Sequence, residues 1–462
     1  MLAIISDLHL TDGTTAANVH GSAFELLAEE IESAIRKKGD IRELRLVLLG
    51  DVFDLVRTDY WMRRNIPPVD RPWGGTIDPR TGMNSRAQVV EAQFAEILDA
   101  VLRERETAAF VDRVNSLLSG AGNLYTKLTY VVGNHDRVLW NFSSLRETVR
   151  RRFPSVTRGG ALPDRFEFLP ALCAPEYGVI ARHGHEWDET CHGWTFLNEV
   201  LRPGAGVGRF DPEAYNVMAI GEVITAELMA GLIARAKEEP GLAPLVGELM
   251  DLNNVRPLIR VIDWMRWFVR GPYSDEQRSA LLRCAKEAAR GVVDCAFARE
   301  WKKLSRSFWI FRGDIVDRLE QFLGAIGDLD FEEIGSLVRF GEWVAGIIGG
   351  RGDDFENGAR EEWAWPGHDG IQYILYGHTH LAKNRYFSAG LDGRVRMYIN
   401  TGTYLPYVRQ VEGGGFAAAH QMTLACFYRD DEDMESRQGP GPTLDLWNGV
   451  RRKRYVRTGI SV

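Results

Sequence analysis

The chain opens Met1-Leu2-Ala3-Ile4-Ile5-Ser6-Asp7-Leu8-His9, a short apolar run that ends in an acid and an imidazole. Four later stretches repeat that arrangement. Leu46-Val47-Leu48-Leu49 runs into Gly50-Asp51-Val52-Phe53-Asp54, and Leu128 to Val132 runs into Gly133-Asn134-His135-Asp136. Val179-Ile180-Ala181-Arg182 runs into His183-Gly184-His185, and Ile371 to Tyr376 runs into Gly377-His378-Thr379-His380. Short apolar runs stopped by Gly or Asp read as buried strands. In a parallel or mixed sheet their C-terminal ends share one edge, so the five polar clusters should converge there. Of ten histidines, six fall inside these motifs, far more than chance placement would give.

Working outward, Phe24, Leu27, Ile31 and Ile35 lie at helical spacing between the first two strands, which gives an α/β rhythm. Further strands are expected over 395–399 and 422–428. Two stretches break the rhythm. Residues 59–127 open with an aromatic, Pro- and Gly-rich loop and continue as a helix through Val90, Phe94, Ile97, Val101 and Leu102. Residues 189–369 read as helical nearly throughout, with a capping box at Ser274-Asp275-Glu276-Gln277. The expected organisation is a discontinuous core, 1–188 and 370–462, carrying a smaller insertion at 59–127 and a helical insertion at 189–369. The large insertion leaves after the His183 motif and returns before the His378 motif, so it should sit as a cap over or beside the motif-bearing edge.

The composition of the 462 residues, 45% hydrophobic and 26% charged, excludes a disordered chain, a fibre and a disulfide scaffold. A net charge of −8 gives no strong nucleic-acid signal, since that binding favours a basic footprint. Five cysteines without CxxC spacing, no basic leader and no apolar run near ~20 residues predict a cytoplasmic chain with reduced thiols and no transmembrane segment. The segment 255–270 alternates arginines with Trp264, Trp267 and Phe268. That pattern fits a helix packed in the insertion, and also leaves peripheral membrane contact open. Nothing in the sequence specifies a protein partner.

Carboxylate, imidazole and amide together suit a first-row divalent ion better than calcium. The number of donors suits two ions about 3.5–4 Å apart, with Asp51 as the bridge. In order, DxH, GDxxD, GNHD, HGH and GHTH resemble the motifs of the calcineurin-like metallophosphoesterases, over residues 1–58, 125–190 and 370–430. The resemblance implies a four-layer α/β/β/α sandwich and two divalent ions, Mn2+ first, with Fe or Zn as alternatives. It places one ion on Asp7, His9, Asp51 and His380, and the other on Asp51, Asn134, His183 and His378. A hydroxide shared by the two would attack phosphorus in line with the leaving oxygen. His135 would protonate that oxygen, and Asp136 would orient the His135 ring. The turn Asn400-Thr401-Gly402-Thr403 also resembles a family feature near the site. The motif order is similar to that of UDP-2,3-diacylglucosamine hydrolases, which carry Arg where this chain has His135 and lack so large an insertion.

Arg57, Trp61, Arg63 and Arg64 follow the Asp51 motif closely enough to be candidate substrate contacts, suited to a phosphate beside a flat or lipid portion. His185 is expected to hydrogen-bond behind the ligands, with ligation the alternative, and is a further candidate substrate contact; Asp54 is expected to cap a helix or support a ligand. The expected activity is hydrolysis of a phosphomonoester or phosphodiester, small or lipid-like. The alternatives are a nuclease or phosphoprotein phosphatase of the same superfamily, or a non-catalytic binding scaffold.

Overall fold

A computed structural model describes residues 1–38, 40–157, 164–255, 260–304, 316–317, 319–320, 323, 352–389, 395–412, 415–433 and 441–451. Residues 256–259 of the arginine- and tryptophan-bearing segment lie outside the described residues.

The opening apolar run forms β1 (Leu2–Ile5), followed in parallel by β2 (Glu43–Leu49), β3 (Tyr125–Val131) and β4 (Phe166–Leu169). On the other side of β1, β11 (Phe416–Tyr428) runs antiparallel, pairing Ala3 with Cys426. β10 (Pro406–Gln410) and β12 (Thr443–Arg451) both pair with β11 and complete a seven-stranded sheet. The second sheet has five strands in the order β5 (Ala171–Ala174), β6 (Val179–Arg182), β7 (Tyr373–Tyr376), β9 (Val395–Asn400) and β8 (Lys383–Ala389). Its three central strands are parallel.

Alternation along each strand sends side chains to opposite faces. Leu2, Ile4, Val47, Leu49 and Val131 pack on Val179, Ala181, Leu375 and Ile399 of the second sheet. Each fully buried aliphatic side chain there contributes about 1.5–3 kcal/mol through removal from water. The intervening residues Ala3, Ile5, Leu44, Leu46 and Leu48 face the other way. They join helix α1 (Ser22–Lys38), which buries Phe24, Leu27 and Ile31, and helices α2 (Ala87–Arg103) and α3 (Arg105–Gly120). The two parts of the α2–α3 hairpin meet at Glu104, whose carboxylate accepts from the Glu106 and Thr107 amides and starts α3. The outer face of the second sheet, Ile180, Ile374, Tyr376 and Tyr398, packs on Phe355, Ala359 and Trp363 of the helix Gly352–Trp363.

The described part of 189–369 is mainly helical, including Gly231–Glu238, Val261–Val269 and Asp275–Val293, the last opened by the Ser274–Gln277 capping box. Its apolar residues, among them Val223, Leu232, Leu249 and Trp264, join the same cluster that covers the first sheet. One correction to the sequence reading arises here. The stretch Ala214–Glu238 is long and apolar enough to span a bilayer, although no such run was expected. Within the fold 89% of its apolar window is buried.

Candidate metal centre

Three of the five motifs leave their strands through non-glycine residues in the left-handed backbone region. Asp7, His9, Asp51, His378 and His380 all have φ between 44° and 65°, and they are five of the six non-glycine residues with positive φ among those described. Such conformations cost about 1–3 kcal/mol each and persist where the surroundings enforce them. Here the enforcement is visible. The Asp7 amide donates to Gly50 O at 3.1 Å and the His9 amide to Asp51 O at 2.8 Å. Thr403 Oγ1 donates to Asp7 O at 2.7 Å, and Asn400 Nδ2 to Gly377 O at 2.7 Å, so the 400–403 turn braces two motifs at once. Two glycines are required by close approach. A Cβ on Gly50 would lie 2.4 Å from His183 Nδ1, and one on Gly377 would lie 2.3 Å from Asp7 Oδ2.

Among the described residues four donor groups are close enough to hold a cation: Asp7 with His9 and His380, Asp51 with His183 and His378, His9 with Asp54 and His135, and Asp188 with Cys191 and His378, of which the first two consist of predicted ligands alone. In the first, His9 Nε2 and His380 Nε2 face each other at 2.8 Å, with Asp7 Oδ1 at 3.8 Å and 3.5 Å from them. Asp51 Oδ2 connects the first two groups, 3.5 Å from His9 Nε2 and 3.2 Å from His183 Nε2. Asn134 Oδ1 lies 3.1 Å from His378 Nδ1 and completes the second group. Three of these imidazoles are anchored by their other nitrogen. His9 Nδ1 meets Asp54 Oδ2 at 2.9 Å, His183 Nδ1 meets Leu49 O at 3.0 Å, and His378 Nε2 meets Asp188 Oδ2 at 3.1 Å. That support turns the remaining nitrogen toward the cluster, as in sites where a histidine ligates a metal. All seven sequence-predicted ligands are therefore brought together.

The chemistry of these donors suits divalent cations. His183 Nε2 is buried with no hydrogen-bond partner and is aimed at Asp51. Two ring nitrogens at 2.8 Å cannot both offer lone pairs to each other without a proton or cation to share. Asp51 is fully buried, and burial alone would raise its pKa. His183, His135 and His9 overcome that and hold it well below the usual carboxylate range. Burial likewise works against charge on His183, but Asp51 and Asp7 outweigh it and push its pKa up to about 10. Asp51 and Asp7 thus supply negative charge around His183 that a cation would neutralise.

His135 lies at the rim, 11% exposed. Its amide donates to Asp51 Oδ1 at 2.8 Å, and its Nδ1 lies 3.0 Å from Asp54 Oδ2, off the line of a hydrogen bond. Asp136 does not take the position expected of it. Its carboxylate accepts from the Gly133 amide at 2.6 Å, the Val52 amide at 2.9 Å and Tyr130 Oη at 2.6 Å. It therefore ties down the loop, and Asp54 is the carboxylate beside the His135 ring. Burial, reinforced by Asp51, raises the Asp136 pKa to about 7.

The substrate candidates divide. Arg57 is buried against the site, its Nε 3.3 Å from Asp54 Oδ2. Trp61 instead is fully buried among Tyr60, Trp73 and Phe94 and serves the core. Arg63 is exposed, paired with Asp59 at 3.3 Å, and Arg64 is exposed. His185 is buried with both ring nitrogens lacking a hydrogen-bond partner, packed edge-on against His192 and Tyr215. It does not make the hydrogen bond expected of it. Asp188 was missed by the sequence reading. Its signal was a carboxylate five residues beyond His183, at the same strand end. The 189–369 stretch reaches this edge through Phe355, whose ring centroid is 5.9 Å from that of His378.

Comparison of the chain with protein families, with curated proteins and with solved structures finds no match.

Proposed function

We propose that the protein is a dinuclear metal-dependent phosphoesterase that hydrolyses a small or lipid-like phosphomonoester or phosphodiester. The observation that carries this reading is the pair of donor groups joined by Asp51 Oδ2, built on five left-handed residues drawn from opposite ends of the chain. Strain of that kind collects where function requires a fixed geometry. The same reading takes the two facing sheets, with helices on both outer faces, as the four-layer α/β/β/α sandwich. It takes 59–127 and 189–369 as insertions into a core formed by 1–188 and 370–462.

Asp7, His9, Asp51 and His380 would hold one divalent ion, and Asp51, Asn134, His183 and His378 the other, with Mn2+ the first choice and Fe or Zn next. Bound there, the pair supplies a Lewis acid for a phosphoryl oxygen and an activated water. The rest is the work of the chain. Asp54, His183's carbonyl partner Leu49, and Asp188 fix the rings. His135, 11% exposed at the rim and beside Asp54, would give a proton to a departing oxygen. Arg57 adds positive charge next to the same carboxylate.

The test combines metal analysis with chromogenic phosphomonoesters and phosphodiesters. Two ions per chain and turnover of one ester class are expected. Asp51→Asn should lose both together, whereas His135→Gln should keep both ions and lose about 10²–10⁴ in kcat on esters with poor leaving groups. A metal-replete protein holding a single ion that Asp51 does not share, or inert toward every ester, would overturn the reading.

A further inference from the structure

We infer that the buried Arg137–Glu222 pair is a positioning device through which the helical insertion sets the His135 loop. The inference rests on the phosphoesterase reading for its catalytic consequence, but its structural part stands alone. Arg137 is two residues beyond His135 and is 3% exposed, while Glu222 in the insertion is 5% exposed. Arg137 Nε donates to Glu222 Oε1 at 2.8 Å and Nη2 donates to Oε2 at 2.9 Å, a parallel two-bond fork that fixes direction as well as distance.

The same guanidinium ties together three segments that are remote in sequence. Its Nη1 donates to Asn141 Oδ1 at 2.6 Å, one helical turn along, and to Asn216 O of the insertion at 2.8 Å. Its Nη2 also lies 3.6 Å from Met83 Sδ, in the loop that follows the Asp51 motif. Asn141 Nδ2 donates to the same Asn216 carbonyl at 2.9 Å, so the contact is doubled. Glu222 is itself held, because its Oε1 accepts from the Ala219 amide at 3.0 Å at the start of its helix.

On the motif side the loop has little freedom to absorb a shift. The His135 carbonyl accepts from Leu55 N at 3.3 Å, its amide is committed to Asp51, and Leu139 N donates to Asp136 O at 2.9 Å. A displacement of Arg137 therefore passes to His135 rather than dissipating. Simple glue between insertion and core would need only burial and charge balance. A fork seated two residues from His135, and braced on both sides, constrains that imidazole's place over the cluster.

Because loss of one partner leaves a buried charge, two variants are needed. Glu222→Gln keeps the shape and one acceptor. The double variant Arg137→Met with Glu222→Met removes both charges and keeps the volume. Each is compared with wild type by hydrogen exchange of the 133–141 amides, by metal content, and by kcat and KM on aryl esters of graded leaving-group pKa. We expect exchange in 133–141 to rise at least tenfold, metal content and KM to hold, and kcat to fall about tenfold on poor leaving groups while good ones are spared. Unchanged exchange in a folded double variant overturns the inference, as does an equal fall on all esters. If wild type hydrolyses no ester yet exchange in the loop rises, the phosphoesterase reading fails and the positioning contact stands.

Discussion

Asp54 Oδ2 lies 3.0 Å from His135 Nδ1, and the same oxygen lies 2.9 Å from His9 Nδ1 and 3.3 Å from Arg57 Nε. One carboxylate atom thus touches the supporting nitrogen of a proposed metal ligand, the rim imidazole and a buried guanidinium. Asp54 is fully buried, which opposes its charge. His135 and Arg57 outweigh that and keep its pKa well below the usual range. It also accepts from the Val56 and Arg57 amides through Oδ1, at 3.1 Å and 3.0 Å, so it cannot swing away.

Asp54→Asn should accordingly weaken the first metal position and disorient His135 together. Loss of a carboxylate behind a ligating histidine commonly costs 10–100-fold in metal affinity or activity. Metal titration and steady-state kinetics on the same preparation should both move by roughly that factor. Movement of neither would mean that Asp54 only caps the turn.

The His183–Asp51 pair makes the metal-free protein sensitive to alkaline pH. The His183 pKa rises from its ordinary value of 6.5 to about 10, so the folded state binds the proton more tightly than the unfolded chain does. A raised pKa gives stability that is complete below about 6.5 and lost as pH climbs through the folded value. Thermal unfolding of chelated protein should show Tm falling between about pH 6.5 and 10, and His183→Gln should flatten that fall. Metal affinity should rise over the same interval, because the ring must release its proton to bind. A Tm of the chelated protein that is level across this interval would show that Asp51 does not hold the proton on His183.

Much of this centre was legible because strand ends and metal donors both leave compact signals. The five motifs fixed which residues to bring together, and periodicity at Phe24, Leu27 and Ile31 and at Val90, Phe94 and Ile97 marked helix faces that the fold buries. What could not be read is direction. Asp54 and Asp136 stand in equivalent motif-closing positions, yet one meets His135 and the other meets backbone amides, and only the path of the chain decides between them. Ala214–Glu238 shows the same limit, since apolar length does not say whether protein or lipid surrounds it.

Asp188 gives a cleaner test of ligand support than Asp54, since among the described residues His378 is the one imidazole that its carboxylate meets. Its Oδ2 lies 3.1 Å from His378 Nε2, and its Oδ1 accepts from the Thr190 amide at 2.9 Å and from Thr190 Oγ1 at 2.7 Å. Burial opposes its charge, but the His378 hydrogen bond lowers its pKa to about 2. Asp188→Asn should weaken the second metal position by about 10–100-fold and leave the first nearly unchanged. Competition titration resolving the two binding steps would show it, and equal weakening of both steps would refute the assignment.

Trp61 distinguishes a core role from a substrate role, because its neighbours Arg63 and Arg64 share its loop but not its burial. Its indole is fully buried, with Nε1 donating to Val56 O at 3.3 Å. Trp73 and Phe94 lie edge-on at 5.1 Å and 5.3 Å. Removing it leaves a cavity in a packed aromatic cluster, and large-to-small changes of this kind cost about 3–5 kcal/mol. Trp61→Ala should therefore lower unfolding stability by that order in denaturant titration, whereas Arg63→Ala and Arg64→Ala should stay within about 0.5 kcal/mol. Relative kcat/KM across a panel of esters should be the same for all three variants as for wild type. A Trp61 variant of undiminished stability but altered ester preference would move the indole from the core to the binding site.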